Sequence, residues 1–141
     1  KRFNELSIHE LYNLLQLRAE VFVVEQNCVY QDVDGKDEKA IHVLGYFEDN
    51  LAAYTRIFDK GDYFEESSIG RVVTAPKYRS MKFGHDLMQV SIDAVEEFFK
   101  ETAITISAQE HLEKFYNAHG FTKSSEMYLE DDIPHIQMKR K

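Results

Sequence analysis

Hydrophobic positions along this chain change period several times, and each change marks an element. Leu11, Leu14, Leu15, Arg18, Ala19 and Phe22 recur at helical spacing. Ser7 lies in front of them with Glu10 three residues later, which predicts a capping box at the helix start. The polar run 31–38 predicts a loop. From Ile41 the period becomes two, and residues 41–47 and 51–58 predict an antiparallel hairpin turning around Asp49-Asn50. Residues 67–74 predict a third strand. Residues 81–99 predict the longest helix, with Leu87, Val90, Ala94, Val95 and Phe98 on one face. The apolar run 103–107 predicts a strand buried on both faces. Residues 112–119 predict a short helix closed by Gly120 in the left-handed conformation. Two last strands, from Phe121 onward and at 135–138, flank an acidic loop. The order αβββαβαββ, with room for a short strand at residues 1–3 before it, predicts an α+β chain. One mixed, mostly antiparallel sheet flanked by helices is expected.

Composition narrows the function classes. A length of 141 residues with 43% hydrophobic and 13% aromatic side chains predicts one globular domain, 1–141, with a real core. No apolar run approaches the roughly 20 residues that span a bilayer, so no membrane partner is expected. The first residues, Lys-Arg-Phe-Asn-Glu, lack the apolar stretch of a signal peptide, and Cys28 is the single cysteine. Both point to a cytoplasmic protein. A formal charge of −8 argues against nucleic acid as a partner and is compatible with a cationic substrate.

Residues 69–88 carry the strongest chemical signal. A β-branched strand stops at Pro76, passes through a turn bearing Lys77, Arg79 and Lys82, and enters an amphipathic helix. Such a junction aims free backbone N–H groups and the positive end of a helix dipole at one point, a ready place for phosphate. The alternative is a solvated basic turn. Metal chemistry finds no support. Aligning Gly35 with the turn glycine of an EF-hand puts Tyr30 and Ile41 at ligand positions, and no His-Glu-x-x-His spacing occurs. Cys28 reads as a small packed hydrophobe. Arg18, Arg56 and Arg71 lie within apolar elements. Each either joins a buried ion-pair network with Glu25, Asp34 or Asp37 or anchors a substrate, and the network is expected for two of the three.

This element order, with strand, basic turn and helix in its middle, resembles the GNAT fold of acetyl-CoA-dependent N-acyltransferases over nearly the whole chain. That family's Arg/Gln-x-x-Gly-x-Gly/Ala turn is matched by Arg79 and Gly84, with Lys82 where glycine is usual. A closer resemblance, to the ElaA-like branch, rests on several segments. They are Leu17-Arg-Ala-Glu-Val-Phe-Val-Val-Glu-Gln26, Tyr30 with Asp34 and Asp37, Ile69-Gly-Arg-Val-Val73, Ala108-Gln109, Phe115-Tyr116 with Gly120-Phe121, and Glu130-Asp-Asp-Ile-Pro-His135. Glycine is usual where Asp132 stands.

The resemblance implies acetyl-CoA as cosubstrate and no metal. Arg79, Ser80, Met81, Lys82, Phe83, Gly84 and His85 would surround its pyrophosphate. Val72, Val73 and Thr74 would offer main-chain groups to the pantetheine arm, from a strand that splays away from its neighbour in this family. Gln109 would hydrogen-bond the same arm. Tyr116 would lie near the CoA sulfur and protonate the departing thiolate, a role that suits a phenol with reference pKa near 10. Core packing is the other reading of Phe115-Tyr116. Glu25, His42 and His135 are the candidates for the base that deprotonates an amine, and a water held by backbone carbonyls could serve instead. The implied reaction is acetyl transfer to a small-molecule or peptide amine by direct attack in a ternary complex, in a monomer or homodimer. The alternative is a non-catalytic CoA- or acyl-CoA-binding module with a degenerate pyrophosphate turn.

Overall fold

The computed structural model describes residues 1–141. Helix α1 (Ile8–Arg18) begins as its sequence predicts: the Ser7 hydroxyl accepts from the Glu10 N–H while the Glu10 carboxylate accepts from the Ser7 N–H. The helical spacing that continues to Phe22 hides a change of helix type. Residues Ala19–Glu25 form a π-helix, closed by bonds from Gln26 N–H to Val21 C=O and from Cys28 N–H to Val23 C=O. The widened turn carries Phe22 and Gln26 toward the cleft described below. The loop that follows contains a single 3₁₀ turn, Asp37–Lys39.

Strands β1 (Ile41–Phe47), β2 (Asn50–Phe58) and β3 (Ser68–Thr74) form an antiparallel sheet in that order. The β1–β2 turn is Glu48-Asp49, one residue earlier than its composition suggests, with both residues at positive φ. This backbone matches the right-handed twist of a tight hairpin. Pro76–Met81 is a 3₁₀ helix, and α2 starts only at Gly84, running to Phe99. Strand β4 (Ile104–Gln109) leads through a 3₁₀ turn into α3 (Glu113–Asn117), which Gly120 closes at φ +87°. The chain ends in β5 (Thr122–Lys123), β6 (Tyr128–Glu130) and β7 (Ile133–Arg140), with β4 and β5 flanking β7 and β6 also pairing with it. At the N-terminus only a bridge between Arg2 and Ile41 forms where a short strand was expected.

In place of one continuous sheet there are two antiparallel sheets. A parallel bridge between Ser67 and Ile104 joins them, and β3 and β4 then diverge. Leu14, Leu17 and Val21 pack with Ala52, Tyr54, Val73 and Tyr78 into one buried cluster. Met88, Ile92 and Val95 of α2 pack with Ile57, Ile69, Ile104, Ile106, Ile136 and Met138 into the other. The buried stripe of α2 is 87, 88, 91, 92, 94 and 95, so Val90 and Phe98 face solvent. The polar Ser91 fits within this stripe because its hydroxyl donates to Leu87 C=O and accepts from Thr55 Oγ1, each at 2.7 Å. No helix is long and apolar enough to cross a membrane.

Two departures from the family's glycines coincide with left-handed backbone: Lys82 has φ +58° and Asp132 has φ +64°. The turn geometry is therefore kept while a side chain bears the strain. Left-handed backbone costs an L-residue about 1–2 kcal/mol, and glycine returns about 0.5–1 kcal/mol of that through unfolded-state entropy. Lys82→Gly is expected to stabilise the fold by about 0.5–1 kcal/mol, read as a higher urea midpoint. A lower midpoint would show that the lysine side chain makes stabilising contacts.

Candidate active site

The divergence of β3 from β4 opens a cleft. Its walls come from Ser68–Val72 on one side and Ile106, Ser107 and Gln109 on the other. Phe22, Gln26, Leu112 and Tyr116 close one part of it, and Tyr30, Phe58, Tyr63, Phe64, Glu130 and His135 close another. The opening has a backbone consequence. The Ala75 N–H bonds Ala52 C=O at 2.7 Å, and Tyr54 opposes Val73. Alternation along an antiparallel pair then turns the peptide groups of Val72 and Thr74 away from β2, toward the side that β4 has left. A bulge at Arg71, with φ +50°, marks the same place.

The basic turn lies beside this edge. The first backbone bond of α2 runs from Leu87 N–H to Phe83 C=O, and no side chain caps the helix. Its first amides consequently point outward without intrahelical partners. Gly84 sits under the Phe115 ring, where a Cβ would meet a ring carbon at 3.4 Å. This contact places the start of α2 against α3, which carries Tyr116. His85 Nδ1 lies 2.9 Å from His119 Nε2, with both rings against Phe115. Phe83 is half-buried, with its ring packed against Phe47. Ser80 and Met81 are exposed on the 3₁₀ turn.

Tyr116 is buried and lines the cleft, its ring held edge-on by Phe115 and Phe121. Burial pushes its phenol pKa up, so the O–H is intact at neutral pH. Gln109 reaches the Gln26 amide at 3.4 Å across the cleft. His135 is 7% exposed, and its Nδ1 donates to Ile133 C=O at 2.7 Å. That bond leaves Nε2 as the open nitrogen, 3.4 Å from a Glu130 carboxylate oxygen.

Two of the proposed bases are corrected. His42 is wholly buried in β1 and away from the cleft. Its Nε2–H donates to Asp37 C=O and its Nδ1 accepts from the Tyr54 hydroxyl, while burial lowers its pKa. It is a neutral core residue. Glu25 ends the π-helix facing Arg79 and accepts two hydrogen bonds from its guanidinium, one of them at 2.8 Å. That bonding holds Glu25 below the usual carboxylate range, which makes it a poor base. It also occupies the Arg79 head, which the turn motif implies for phosphate.

All three interior arginines belong to one network. Arg18 pairs with Asp32 and Asp37, Arg56 with Asp34 and Asp37, and Arg71 with Asp32 and Asp34. Asp32 replaces the expected Glu25. The network consumes the carboxylates of the 32–37 loop and fastens that loop beneath the cleft. Signals missed in the sequence are the period-two faces of the C-terminal strands. Ser107, Gln109, Tyr128, Glu130 and His135 share one side because Gln109 and Tyr128 each oppose His135.

A fold built on diverging sheets, with an uncapped helix start beside the gap, defines a class. The family model described as acetyltransferase (GNAT) domain matches residues 10–141. This chain belongs to the GNAT acetyltransferase family, in its ElaA-like branch. It is 45% identical to protein ElaA of Escherichia coli over 97% of this chain and 91% of that one. The crystal structure of that ElaA superposes with a TM-score of 0.90 over 98% of this chain and 94% of that one. An acyl-CoA N-acyltransferase from Pseudomonas aeruginosa is 44% identical, with a TM-score of 0.93 over 100% and 97% of the two chains. An aminoglycoside 6'-N-acetyltransferase complexed with coenzyme A, at 14% identity and TM-score 0.71 over 99% and 94%, shares the fold.

Asp37 bonds two buried arginines, and removing one partner of such a network strands charge in the interior. Asp37→Asn is expected to cost about 3–5 kcal/mol in chemical denaturation. Burial opposes ionisation of Asp34 and Asp37, yet their bonds to Arg56 and Arg18 outweigh it and depress both carboxyl groups. A depressed carboxylate stabilises fully above its unfolded pKa near 4 and loses that contribution as pH falls through its folded value. Wild-type stability should therefore drop below about pH 4, and more gently in Asp37→Asn. Equal slopes would show that the network does not govern acid unfolding.

Proposed function

We propose that this protein transfers an acetyl group from acetyl-CoA to an amine by direct attack within a ternary complex. The observation that carries this reading is the cleft itself: the β3 edge and the buried Tyr116 phenol line it, and β3 runs on through the basic turn to the uncapped start of α2. Family membership supports acyl transfer, and the coenzyme A held by the aminoglycoside enzyme of this fold supports the cofactor.

The α2 amides from Gly84 onward and the Lys82 side chain would receive the pyrophosphate, in competition with Glu25 for Arg79. The edge groups of Val72 and Thr74 would hold the pantetheine arm as a substitute strand, with Gln109 across from them. A main-chain N–H of β3 aimed at the thioester oxygen would stabilise the tetrahedral intermediate. His135, whose Nδ1–H is fixed on Ile133, takes a proton from the ammonium at Nε2. The amine then attacks the carbonyl carbon, the C–N bond forms and the C–S bond breaks. Tyr116 donates a hydrogen bond to the sulfur as charge develops and passes its proton there. The second proton released by nitrogen restores the phenol through water. The balance is ammonium plus acetyl-CoA giving amide, CoA thiol and one proton.

Calorimetric titration with acetyl-CoA, followed by an assay of amide formation in wild type and Tyr116→Phe, tests this function. Micromolar binding in both proteins is expected, with turnover reduced about 100-fold in the variant. Binding without turnover on any amine would favour a CoA-binding module. An absence of binding at millimolar acetyl-CoA would sink the enzyme reading.

A further inference from the structure

The cleft contains a second arrangement, which rests on the acyl-transfer reading and concerns the acceptor. Charges lining it are Arg56, Arg71, Glu130 and Asp131. The two arginines bring no free charge, because Arg18, Arg56 and Arg71 are matched one for one by Asp32, Asp34 and Asp37. Lys36 lies over the Tyr63 ring at 6.0 Å but does not line the cleft. Glu130 and Asp131 are left as its uncompensated charge.

Glu130 is held in one orientation by a directed chain. The Ser107 hydroxyl donates to Glu130 Oε1 at 3.0 Å, and having one proton it must accept from the Tyr128 hydroxyl at 2.6 Å. The other carboxylate oxygen, Oε2, faces His135 Nε2 at 3.4 Å. Since Nδ1 already donates to Ile133, a neutral His135 presents a lone pair there. In that form Nε2 and Oε2 are two neighbouring acceptors, which a proton on the imidazole or an added N–H donor at the cleft would satisfy. An ammonium, with three N–H donors and a positive charge, satisfies both at once. The aromatic walls Tyr30, Phe58, Tyr63 and Phe64 suit the methylenes and cationic head of such a ligand.

We infer that Glu130, oriented by Ser107 and Tyr128, docks the acceptor's ammonium against His135 Nε2, and that the acceptor class is alkyl amines lacking a carboxylate beside the cationic chain. A carboxylate on the acceptor would meet Glu130 and Asp131 while both cleft arginines are engaged. Glu130 acts as a binding residue and His135 receives the proton.

The test compares 1,4-diaminobutane with ornithine, which is the same diamine bearing a carboxylate. Each is titrated calorimetrically into CoA-saturated wild type, Glu130→Gln and Ser107→Ala, and the diamine's KM is measured with acetyl-CoA. The diamine is expected to bind at least 10-fold more tightly than ornithine. Glu130→Gln should weaken the diamine at least 10-fold and raise its KM more than it lowers kcat, with acetyl-CoA affinity and melting temperature unchanged. Ser107→Ala should weaken it by a smaller factor, and Glu130→Asp should recover part of the loss. Equal affinity for ornithine, unchanged diamine binding in Glu130→Gln, or no diamine binding to free or loaded wild type would each overturn the inference. A wild type that binds the diamine through Glu130 but binds no acetyl-CoA would refute acyl transfer and leave the docking site standing.

Discussion

The separation of β3 from β4 is the constraint on which the rest of the molecule depends. One backbone bridge, Ser67 to Ile104, joins the two sheets over their shared core, and beyond it the facing edges of β3 and β4 are unpaired. Unpaired peptide groups in a half-buried gap are costly unless water or a ligand meets them, so this edge is open to an occupant with alternating donors and acceptors. The bulge at Arg71 bends β3 at the point of divergence. The π-turn at Ala19–Glu25 widens α1 where it borders the opening. The Phe115 ring lies against Gly84 at the start of α2, which brings the helix bearing Tyr116 next to the basic turn. These local irregularities, each unfavourable alone, act on the same cleft.

Charge is organised around that cleft by cancellation. Two buried arginines and the partly buried Arg71 meet three aspartates from one loop, so the floor of the cleft is held in place and electrically balanced. A network of this kind contributes less to stability than its number of ion pairs suggests, because each member has been taken out of water. Its larger effect here is positional: it fixes the 32–37 loop and leaves Glu130 and Asp131 to set the sign of the field at the mouth. The overall charge of −8 acts in the same direction at longer range, within the limits of salt screening.

Local rules read well in the sequence. Ser7 with Glu10 announced the first helix, Gly120 closed the short one, and the order strand, turn and helix of residues 69–88 held, with the helix starting at Gly84 after a 3₁₀ turn. The family resemblance implied the splay of β3, but the expectation of one continuous sheet with a first strand at residues 1–3 gave way to two sheets and a single bridge. Features that depend on distant partners did not show. Val21 to Val24 extend a helical pattern without revealing that the bonds skip to the fifth residue. Nothing near Glu25 or Arg79 signals that they meet across 54 residues. His42 alternates in a strand like any polar residue, and only the assembled core shows it sealed between Asp37 and Tyr54. Helical phase misled at Val90 and Phe98, because the polar Ser91 occupies the centre of the buried stripe. The Glu130 and His135 pairing lay within reach of period-two reasoning, once the left-handed Asp131-Asp132 turn fixed the register of the hairpin.

Backbone amide chemical shifts, followed by NMR while acetyl-CoA is added, test the central claim most directly. An occupant that completes the open edge should move the amides of Arg71 to Thr74 together with those of Phe83 to Asp86, as one saturable event. The amides of β1 and of the far end of α2 should stay still. Shifts confined to any other surface, or none at millimolar acetyl-CoA, would contradict a cleft built to receive the cofactor as its missing strand.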